Sequence, residues 1–167
     1  MRLFLALGSN VGDRAAHLRF ARSEITRLLI PPAALAAASL YESAPVDCPP
    51  GSGAFLNTVV AGPVALPPDQ ILAIAQSIES AAGRSRNAVR NAPRPLDIDL
   101  LLLDDLIIRT ENLIVPHPRL HIRGFVLHPL AELAPDLSIP GMQATVSELR
   151  ARLDASEPPP VKLCSEW

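Results

Sequence analysis

Two aspartates near the middle of the chain have the residue type and spacing that metal-dependent chemistry needs. Asp97 and Asp99 alternate with apolar residues between positions 96 and 100, which predicts a β-strand with one acidic and one apolar face. Carboxylates at positions i and i+2 of a strand lie about 6–7 Å apart, and they repel by about 2–3 kcal/mol at an effective dielectric constant of about 20. A divalent cation removes that repulsion, and a hard ion that prefers oxygen ligands indicates Mg²⁺.

Arginines are concentrated in the segment before this strand: Arg84, Arg86, Arg90 and Arg94. Guanidinium groups donate paired hydrogen bonds to phosphate oxygens, so arginines beside a metal-binding carboxylate pair suit a polyphosphate and its metals. A solvated loop with surface ion pairs, each worth about 0–1 kcal/mol, would have the same composition. The spacing alone leaves both interpretations open.

The composition is that of a globular protein, and we expect a single domain over residues 1–167. Hydrophobic residues make up 49% of the chain, too many for a disordered protein. The formal net charge of −2 predicts no general attraction to nucleic acid or membranes. Cys48 and Cys164 lack metal-ligand spacing, and the apolar start at residues 3–7 is too short for a membrane span or a signal peptide. We therefore expect a cytoplasmic protein with reduced thiols.

Hydrophobic patterns predict six main elements, one of which is the acidic strand itself. Strands are expected over residues 2–7, 35–43, 55–60 and 96–103, with helices over residues 14–29 and between Pro67 and Gly83. The order β-α-β-β-α-β predicts an α+β protein of the ferredoxin-like class, with an antiparallel sheet and helices on one face. This fold supports many activities, so the function has to be inferred from the sites.

The C-terminal third is expected to add to this core. Asp104–Asp105 suits a turn into an extra hairpin strand at residues 106–108. Two C-terminal helices are expected, one over residues 124–133 and one that begins with a capping box at Thr145. The proline-rich tail after about residue 155 is expected to pack loosely.

Seven short motifs occur in an order that is found in a known family. They are L-G-S-N at 7–10, F-L-N at 55–57, Q-x-x-E at 76–79, G-R at 83–84, P-R-x-L-D-I-D at 93–99, V-P-H at 115–117 and R-G-F at 123–125. Together they resemble the 6-hydroxymethyl-7,8-dihydropterin pyrophosphokinases of folate biosynthesis, through about residue 135. The resemblance implies a ferredoxin-like fold, which agrees with the predicted order of elements.

The resemblance also implies an activity, the transfer of the terminal pyrophosphate of ATP to the hydroxymethyl group of the pterin with release of AMP. Asp97 and Asp99 would hold two Mg²⁺ ions that bridge the triphosphate. Arg84 and Arg94 would contact its phosphates, and these four residues form the implied catalytic set. No residue stands out as a general base, so we expect catalysis to depend on positioning and charge stabilisation.

Three further positions resemble ATP contacts of the family: Gln76, His117 and Arg123. With Arg84 and Arg94 they form the predicted ATP-binding set. Glu79 belongs to the same Q-x-x-E motif as Gln76 and receives no role.

A pterin is flat and has a donor–acceptor edge, and the resemblance assigns its recognition to Asn57, Phe55 and Phe125. An amide inside a strand of β-branched residues needs a partner, and it can donate and accept at once. Two aromatic faces can sandwich the ring, each stack contributing about 0.5–1.5 kcal/mol beyond area burial. Phe55 taken alone also suits a core position. The remaining predicted pterin contacts resemble a loop of the family: Ser43, Ala44 and Val46.

One departure from the family's pattern affects the arginine-rich loop. Many members carry Trp-Gly before the proline of the acidic motif, whereas this chain carries Asn91–Ala92. Because no aromatic side chain can close over the pterin from that position, we expect looser loop closure without loss of activity.

Three alternative functions have to be weighed. An RNA-binding module on the same fold would need exposed aromatics and a basic face, but aromatics are 4% of this acidic chain. Another Mg²⁺-dependent nucleotide enzyme, such as a phosphatase, explains the acids and arginines but not Asn57 with two phenylalanines. The intact Asp97 and Asp99 argue against a nucleotide-binding module without catalysis. The expected partners are therefore ATP and the pterin, with no nucleic acid or membrane, and a monomer is favoured.

Overall fold

Two helices separate three groups of strands along the first hundred residues, and further elements follow. The computed structural model describes residues 1–31, 33–84, 92–156 and 158–167. The strands are β1 (Arg2–Ser9), β2 (Ala36–Ala37), β3 (Leu40–Ser43), β4 (Phe55–Pro63), β5 (Asp97–Leu103), β6 (Ile108–Arg109), β7 (Ile114–Val115) and β8 (Val161–Cys164). The helices are α1 (Arg14–Thr26), α2 (Pro68–Ala81), α3 (Gly124–Leu133) and α4 (Val146–Ala151).

The main sheet has the strand order β5-β1-β4-β3-β8, with β2 also paired to β4. Every pairing in it is antiparallel. β6 and β7 form a separate two-stranded sheet. The prediction of a protein that combines helices with an antiparallel sheet is confirmed.

Helices cover both faces of the sheet because its central strand β1 is apolar on both sides. Leu3, Leu5 and Leu7 belong to a core that includes the buried residues of α1 and α2. Phe4 belongs to a second core, which includes the buried residues of α3 and α4. The two C-terminal helices therefore close the face that the first two helices leave open.

Two elements are shorter than the hydrophobic pattern predicts. α1 ends at Thr26 because Leu29 leaves the helix to form a β-bridge with Val64. The strand predicted over residues 35–43 is interrupted, and the backbone N–H of Ser39 donates to Glu132 Oε2 at 2.7 Å. In both places a contact distant in sequence takes over from the local pattern.

The extra hairpin forms at a different place from the one predicted. Asp104–Asp105 does make a turn, and Asp104 is bound to β1 in both directions. Its N–H donates to Arg2 O at 2.9 Å, while Arg2 N donates to Asp104 Oδ1 at 2.7 Å. This contact holds the turn at the start of β1, and the next strand pairs with residues 114–115 rather than with the acidic strand.

Both predicted C-terminal helices are present. α3 has the predicted bounds, and the capping box of α4 forms between Thr145 and Glu148. Thr145 Oγ1 accepts from Glu148 N at 3.3 Å, and Glu148 Oε2 accepts from Thr145 N at 2.8 Å. Within the described ranges, the helices are all too short or too polar to span a bilayer.

The C-terminal tail joins the sheet, so the prediction of loose packing after about residue 155 is wrong for residues 161–167. β8 pairs with β3, where Lys162 lies opposite Tyr41. Trp167 Nε1 donates to Ala38 O at 2.9 Å, and the Trp167 side chain packs against the core of α1 and α2. Trp167 helps to fix the tail. The prolines at 158–160 suggested loose packing and gave no sign of this contact.

Glu132 on α3 binds residues of β3 and β8 at one side of the sheet. Its carboxylate accepts hydrogen bonds from Ser39 N at 2.7 Å, from Tyr41 Oη at 2.8 Å and from Lys162 Nζ. Burial raises the pKa of Glu132, but the bonds from Lys162, Ser39 and Tyr41 outweigh burial and lower the pKa to about 2.

We expect the Glu132 carboxylate to stabilise the fold fully above its ordinary pKa of 4.5 and to lose that contribution as the pH falls towards 2, since its folded pKa is the lower one. Urea unfolding of the wild type and of Glu132→Gln at a series of pH values measures this contribution. The difference in unfolding free energy should be largest near neutral pH and should shrink in acid. A difference that does not change with pH would contradict the expectation.

Candidate active site

Most of the predicted site residues lie on the face of the sheet that carries α3, and Arg84 and His117 reach Asp97 and Asp99 without lining the cleft. Gly8 at the end of β1 lies opposite Asn57 on β4 and opposite Asp97 on β5, while Ala6 lies opposite Asp99. Alternate residues of a strand share a face, so both aspartates point to the same side. They line a cleft that is partly open to solvent.

Asp97 is held by two of the predicted arginines. Arg84 Nη1 lies 2.5 Å from Asp97 Oδ1, and Arg94 Nη2 lies 2.8 Å from Asp97 Oδ2. Each carboxylate oxygen therefore has its own guanidinium partner. Burial by itself would lower the pKa of Arg84, but Asp97 and Glu79 raise it, which keeps the guanidinium charged.

Asp99 is held by Arg123, the residue that precedes α3. Arg123 Nη1 donates to Asp99 Oδ2 at 3.0 Å, and His117 Nε2 lies 3.7 Å from the same oxygen, beyond hydrogen-bond distance. Burial lowers the pKa of His117 despite the attraction of Asp99, so the imidazole is neutral near pH 7. Because His117 Nδ1 accepts a hydrogen bond from Arg119 N at 3.2 Å, the ring proton resides on Nε2.

The arginines supply the neutralisation that the sequence pattern assigned to a metal. Three carboxylates face three guanidinium groups across the cluster: Glu79, Asp97 and Asp99 against Arg84, Arg94 and Arg123. Asp97 and Asp99 are therefore not bare carboxylates, because each has at least one arginine as a close partner. No group of three or more His, Cys, Asp or Glu side chains able to hold a metal ion occurs in the described part of the chain.

Glu79 on α2 connects Arg84 to the acidic strand, a role that the sequence did not reveal. Glu79 Oε1 accepts a hydrogen bond at 2.7 Å from the backbone N–H of Ile98, which lies between the two aspartates, and also binds Arg84 Nη1. Burial raises the pKa of Glu79, and the Ile98 hydrogen bond and Arg84 oppose that rise. The Q-x-x-E motif was the available signal, but a backbone partner leaves no trace in residue types.

Arg94 is fixed by the turn that follows β1. Asn10 Oδ1 accepts from Arg94 N at 2.8 Å, and Asn10 N donates to Arg94 O at 3.2 Å. The Arg94 guanidinium lies 5.6 Å from the centre of the Phe55 ring. Over the described ranges, Arg94 Nε is the one buried side-chain polar atom without a hydrogen-bond partner. A buried donor at a cleft suits an acceptor on a ligand.

The same cleft carries the amide and the aromatic rings, with Phe55 beside Arg94 and Phe125 beside Arg123. Asn57 is buried, and its Nδ2 donates to Ser43 Oγ at 2.9 Å. A Cβ on Gly8 would lie only 3.1 Å from Asn57 Oδ1, so the glycine leaves room for the amide. Phe55 is 8% exposed yet lines the cleft, and it thereby meets both the core and the cleft interpretation. Phe125 lines the same cleft from the first turn of α3.

The loop residues Ser43, Ala44 and Val46 line this cleft as well. Five residues outside the motifs and the predicted contacts also line it: Ala6, Asp47, Cys48, Thr58 and Arg119. Gln76 is exposed on α2 and does not line the cleft. Arg86, Arg90 and Asn91 lie outside the described residues, so the looser loop closure expected from Asn91 stays a prediction.

The fold and the cleft together define a class, that of antiparallel α/β proteins in which an arginine–carboxylate cluster shares one sheet face with an amide and two aromatic rings. The family model of 7,8-dihydro-6-hydroxymethylpterin-pyrophosphokinase (HPPK) matches residues 4–135. The chain belongs to this family.

Two bacterial relatives carry the name 2-amino-4-hydroxy-6-hydroxymethyldihydropteridine pyrophosphokinase. The protein of Bacillus subtilis is 44% identical over 133 residues, which cover 78% of this chain and 76% of the relative. The protein of Methylorubrum extorquens is 42% identical over 159 residues, which cover 93% of this chain and 95% of the relative.

A solved structure confirms the fold at low sequence identity. Wild-type HPPK-DHPS of Plasmodium falciparum with SDX-DHP matches with a TM-score of 0.70 and 14% identity over 90% of this chain. The chain spans 44% of that longer protein. At this identity the likeness concerns the fold alone.

Proposed function

We propose that this protein transfers pyrophosphate from ATP to 6-hydroxymethyl-7,8-dihydropterin in folate biosynthesis and releases AMP. Family membership and the named bacterial relatives support an ATP-dependent transferase. The observation that carries the proposal is the shared sheet face, on which the aspartates of β5 and the Asn57 amide of β4 lie on either side of β1. One end of the cleft suits a triphosphate, and the other suits a pterin.

Asp97 and Asp99 fit Mg²⁺ by the chemistry of their donor atoms. Their side chains are 22% and 33% exposed towards the cleft, so lone pairs of the carboxylates are accessible. Mg²⁺ prefers oxygen, and nucleotide enzymes bind it through one or two carboxylates together with phosphate oxygens. Two ions are proposed here, and when bound they would offset the charge of the triphosphate.

The arginines would exchange their carboxylate partners for phosphate oxygens when the metal and ATP bind. Each guanidinium keeps an anionic partner in this exchange, because phosphate accepts the same forked hydrogen bonds as carboxylate. Arg94 Nε, which lacks a partner, would gain one. The Nε2–H of His117 would add a neutral donor, and Gln76 remains a predicted contact to the nucleotide. Arg84, Arg94 and Arg123 would thus hold the phosphates in line for attack by the pterin hydroxyl.

The pterin end would recognise its ligand by shape and hydrogen bonding. Asn57 can donate and accept at the donor–acceptor edge of the ring, with Ser43 holding the amide in orientation. Phe55 and Phe125 would flank the ring, and the backbone near Ala44 and Val46 would line its other edge. No side chain is assigned the role of general base.

The strand order also supports a more specific fold class than a mixture of helices and an antiparallel sheet. The order β5-β1-β4-β3 with α1 and α2 on one face supports a ferredoxin-like sheet, to which β8 adds an edge strand. We assign the chain to that class, as one domain that acts as a monomer.

Identification of the nucleotide product tests the proposed function. The protein is mixed with ATP, Mg²⁺ and 6-hydroxymethyl-7,8-dihydropterin, and the nucleotides are separated. Formation of AMP that depends on the pterin is the expected result. ADP would indicate ordinary phosphoryl transfer, and the absence of any pterin-dependent product would overturn the proposal.

Replacing Asn57 with Ala is expected to weaken pterin binding by about ten- to a hundredfold, since an unpaired buried polar edge costs about 1–3 kcal/mol. The affinity for ATP should change less than twofold, because the amide is not among the groups assigned to the phosphates. Isothermal titration with each substrate measures both affinities. Asn112→Ala, at an exposed position outside the cleft, is the matched control. Equal weakening of both substrates would contradict the assignment of Asn57.

A further inference from the structure

The C-terminal strand pairs with β3 at a position that bears on the pterin end of the cleft. Tyr41 on β3 lies between Asn57 on one side and Lys162 on the other. The pairing with β8 extends to Glu42, one residue before Ser43. Ser43 begins the loop that lines the cleft and accepts the hydrogen bond from Asn57. The last strand therefore backs the strand that carries the pterin loop.

Both ends of α3 are also in contact with this C-terminal strap, which we define as residues 158–167. Near the beginning of α3, a Cβ built on Gly124 would lie 3.7 Å from Pro160 Cδ. Near its end, Glu132 binds Lys162 together with Ser39 N and Tyr41 Oη. Because Phe125 stands in the first turn of α3, the strap contacts both walls of the pterin end, the β3 loop and the helix.

The strap is fixed at its far end by the last residue. Trp167 Nε1 donates to Ala38 O at 2.9 Å, and Arg22 Nη1 donates to Trp167 O at 2.6 Å. The Arg22 guanidinium also lies 5.0 Å from the Trp167 ring centre. The strap is therefore held beside α1 at Trp167 and lies near α3 at Pro160, with β8 paired to β3 between them.

We propose that the C-terminal strap sets the distance between the loop at residues 43–46 and Phe125, with Glu132 and Lys162 as positioning residues for pterin binding. Neither residue lines the cleft that holds the arginine–carboxylate cluster, so neither would touch substrate. The strap lies beyond residues 4–135, the region that the family model matches. This inference rests on the proposed function, because it assumes that the pterin occupies the end of the cleft at Asn57.

Three substitutions at the Glu132–Lys162 ion pair test the role of the strap in pterin binding. Lys162→Met removes the ammonium and keeps the length of the side chain, and Glu132→Gln removes the charge at the other partner. Each should raise the dissociation constant for the pterin about three- to tenfold while the constant for ATP changes less than twofold. Lys162→Arg should restore wild-type affinity, and the double variant should be no weaker than the worse single variant, since both remove one interaction.

Leu163→Thr is the matched control, because it alters an exposed side chain of the same strand and leaves the Glu132–Lys162 ion pair intact. Amide hydrogen exchange at residues 43–46 should accelerate in Lys162→Met and not in the control. The proposed role of the strap would be overturned if Lys162→Met changed neither the pterin affinity nor the rate of amide exchange. It would also be overturned if the substitution weakened the binding of both substrates equally. If Asn57→Ala also leaves pterin affinity unchanged, the proposed pterin site itself fails, which separates the two outcomes.

Discussion

Replacement of Asp97 with Asn is expected to lower kcat by about three orders of magnitude. The amide keeps the shape of the carboxylate but removes the negative charge that would bind a metal ion. Metal stabilisation of a phosphoryl transition state is worth several kcal/mol, and each 1.4 kcal/mol corresponds to about a tenfold change in rate. The same change leaves Arg84 and Arg94 without their anionic partner, so the arrangement of the phosphate-binding groups is also disturbed.

The measurement is a single-turnover assay of AMP formation at saturating ATP and pterin. Thermal unfolding of the variant distinguishes loss of chemistry from loss of fold, since Arg94 is mostly buried and would be left less well paired. Asp105→Asn is the control, because that exposed carboxylate lies in a turn outside the cleft. Near-normal turnover by the Asp97 variant would contradict the metal-binding role assigned to this residue.

The periodic parts of the chain were predictable because short-range rules determine them. The alternation around Asp97 and Asp99 identified the acidic strand and its two faces, and the Thr145 capping box identified α4. Such patterns depend on residues two to four positions apart, which the sequence displays directly.

Contacts between distant residues account for what the sequence did not reveal. Glu79 accepts a hydrogen bond from the backbone N–H of Ile98. Glu132 accepts one from Ser39 N, where the strand predicted over residues 35–43 is interrupted. Backbone partners have no residue type, so no motif records them. Trp167 likewise fixes the tail through a carbonyl far away in sequence.

The candidate site shows the same division. The ordered motifs contain several residues that line the cleft, including Asn57 and both phenylalanines, but they do not contain Asp47, Cys48 or Arg119. The pairing of each aspartate with particular arginines was not predictable. That pairing depends on how α2, α3 and the turn at Asn10 approach β5, which is a property of the packed fold.

Replacement of Arg94 with Lys is expected to lower kcat by about a hundred- to a thousandfold, although the positive charge is retained. An ammonium is a point charge, whereas the guanidinium binds Asp97 through Nη2 and carries Nε as a buried donor without a partner. Loss of one preorganised donor to a transition state typically costs a factor of that size. Lysine would also lose the planar group that lies over Phe55.

Comparison of kcat with the affinity for ATP shows whether Arg94 acts mainly in the transition state. If Nε donates to the transferring group, kcat should fall much more than the affinity for ATP, because the ground state retains the charge attraction. Arg109→Lys, at an exposed position on β6, controls for the general effect of the exchange. An Arg94→Lys enzyme with wild-type turnover would mean that charge alone is sufficient at this position. The unpartnered Nε would then have no part in the reaction, and the alignment of the triphosphate would have to depend on Arg84 and Arg123.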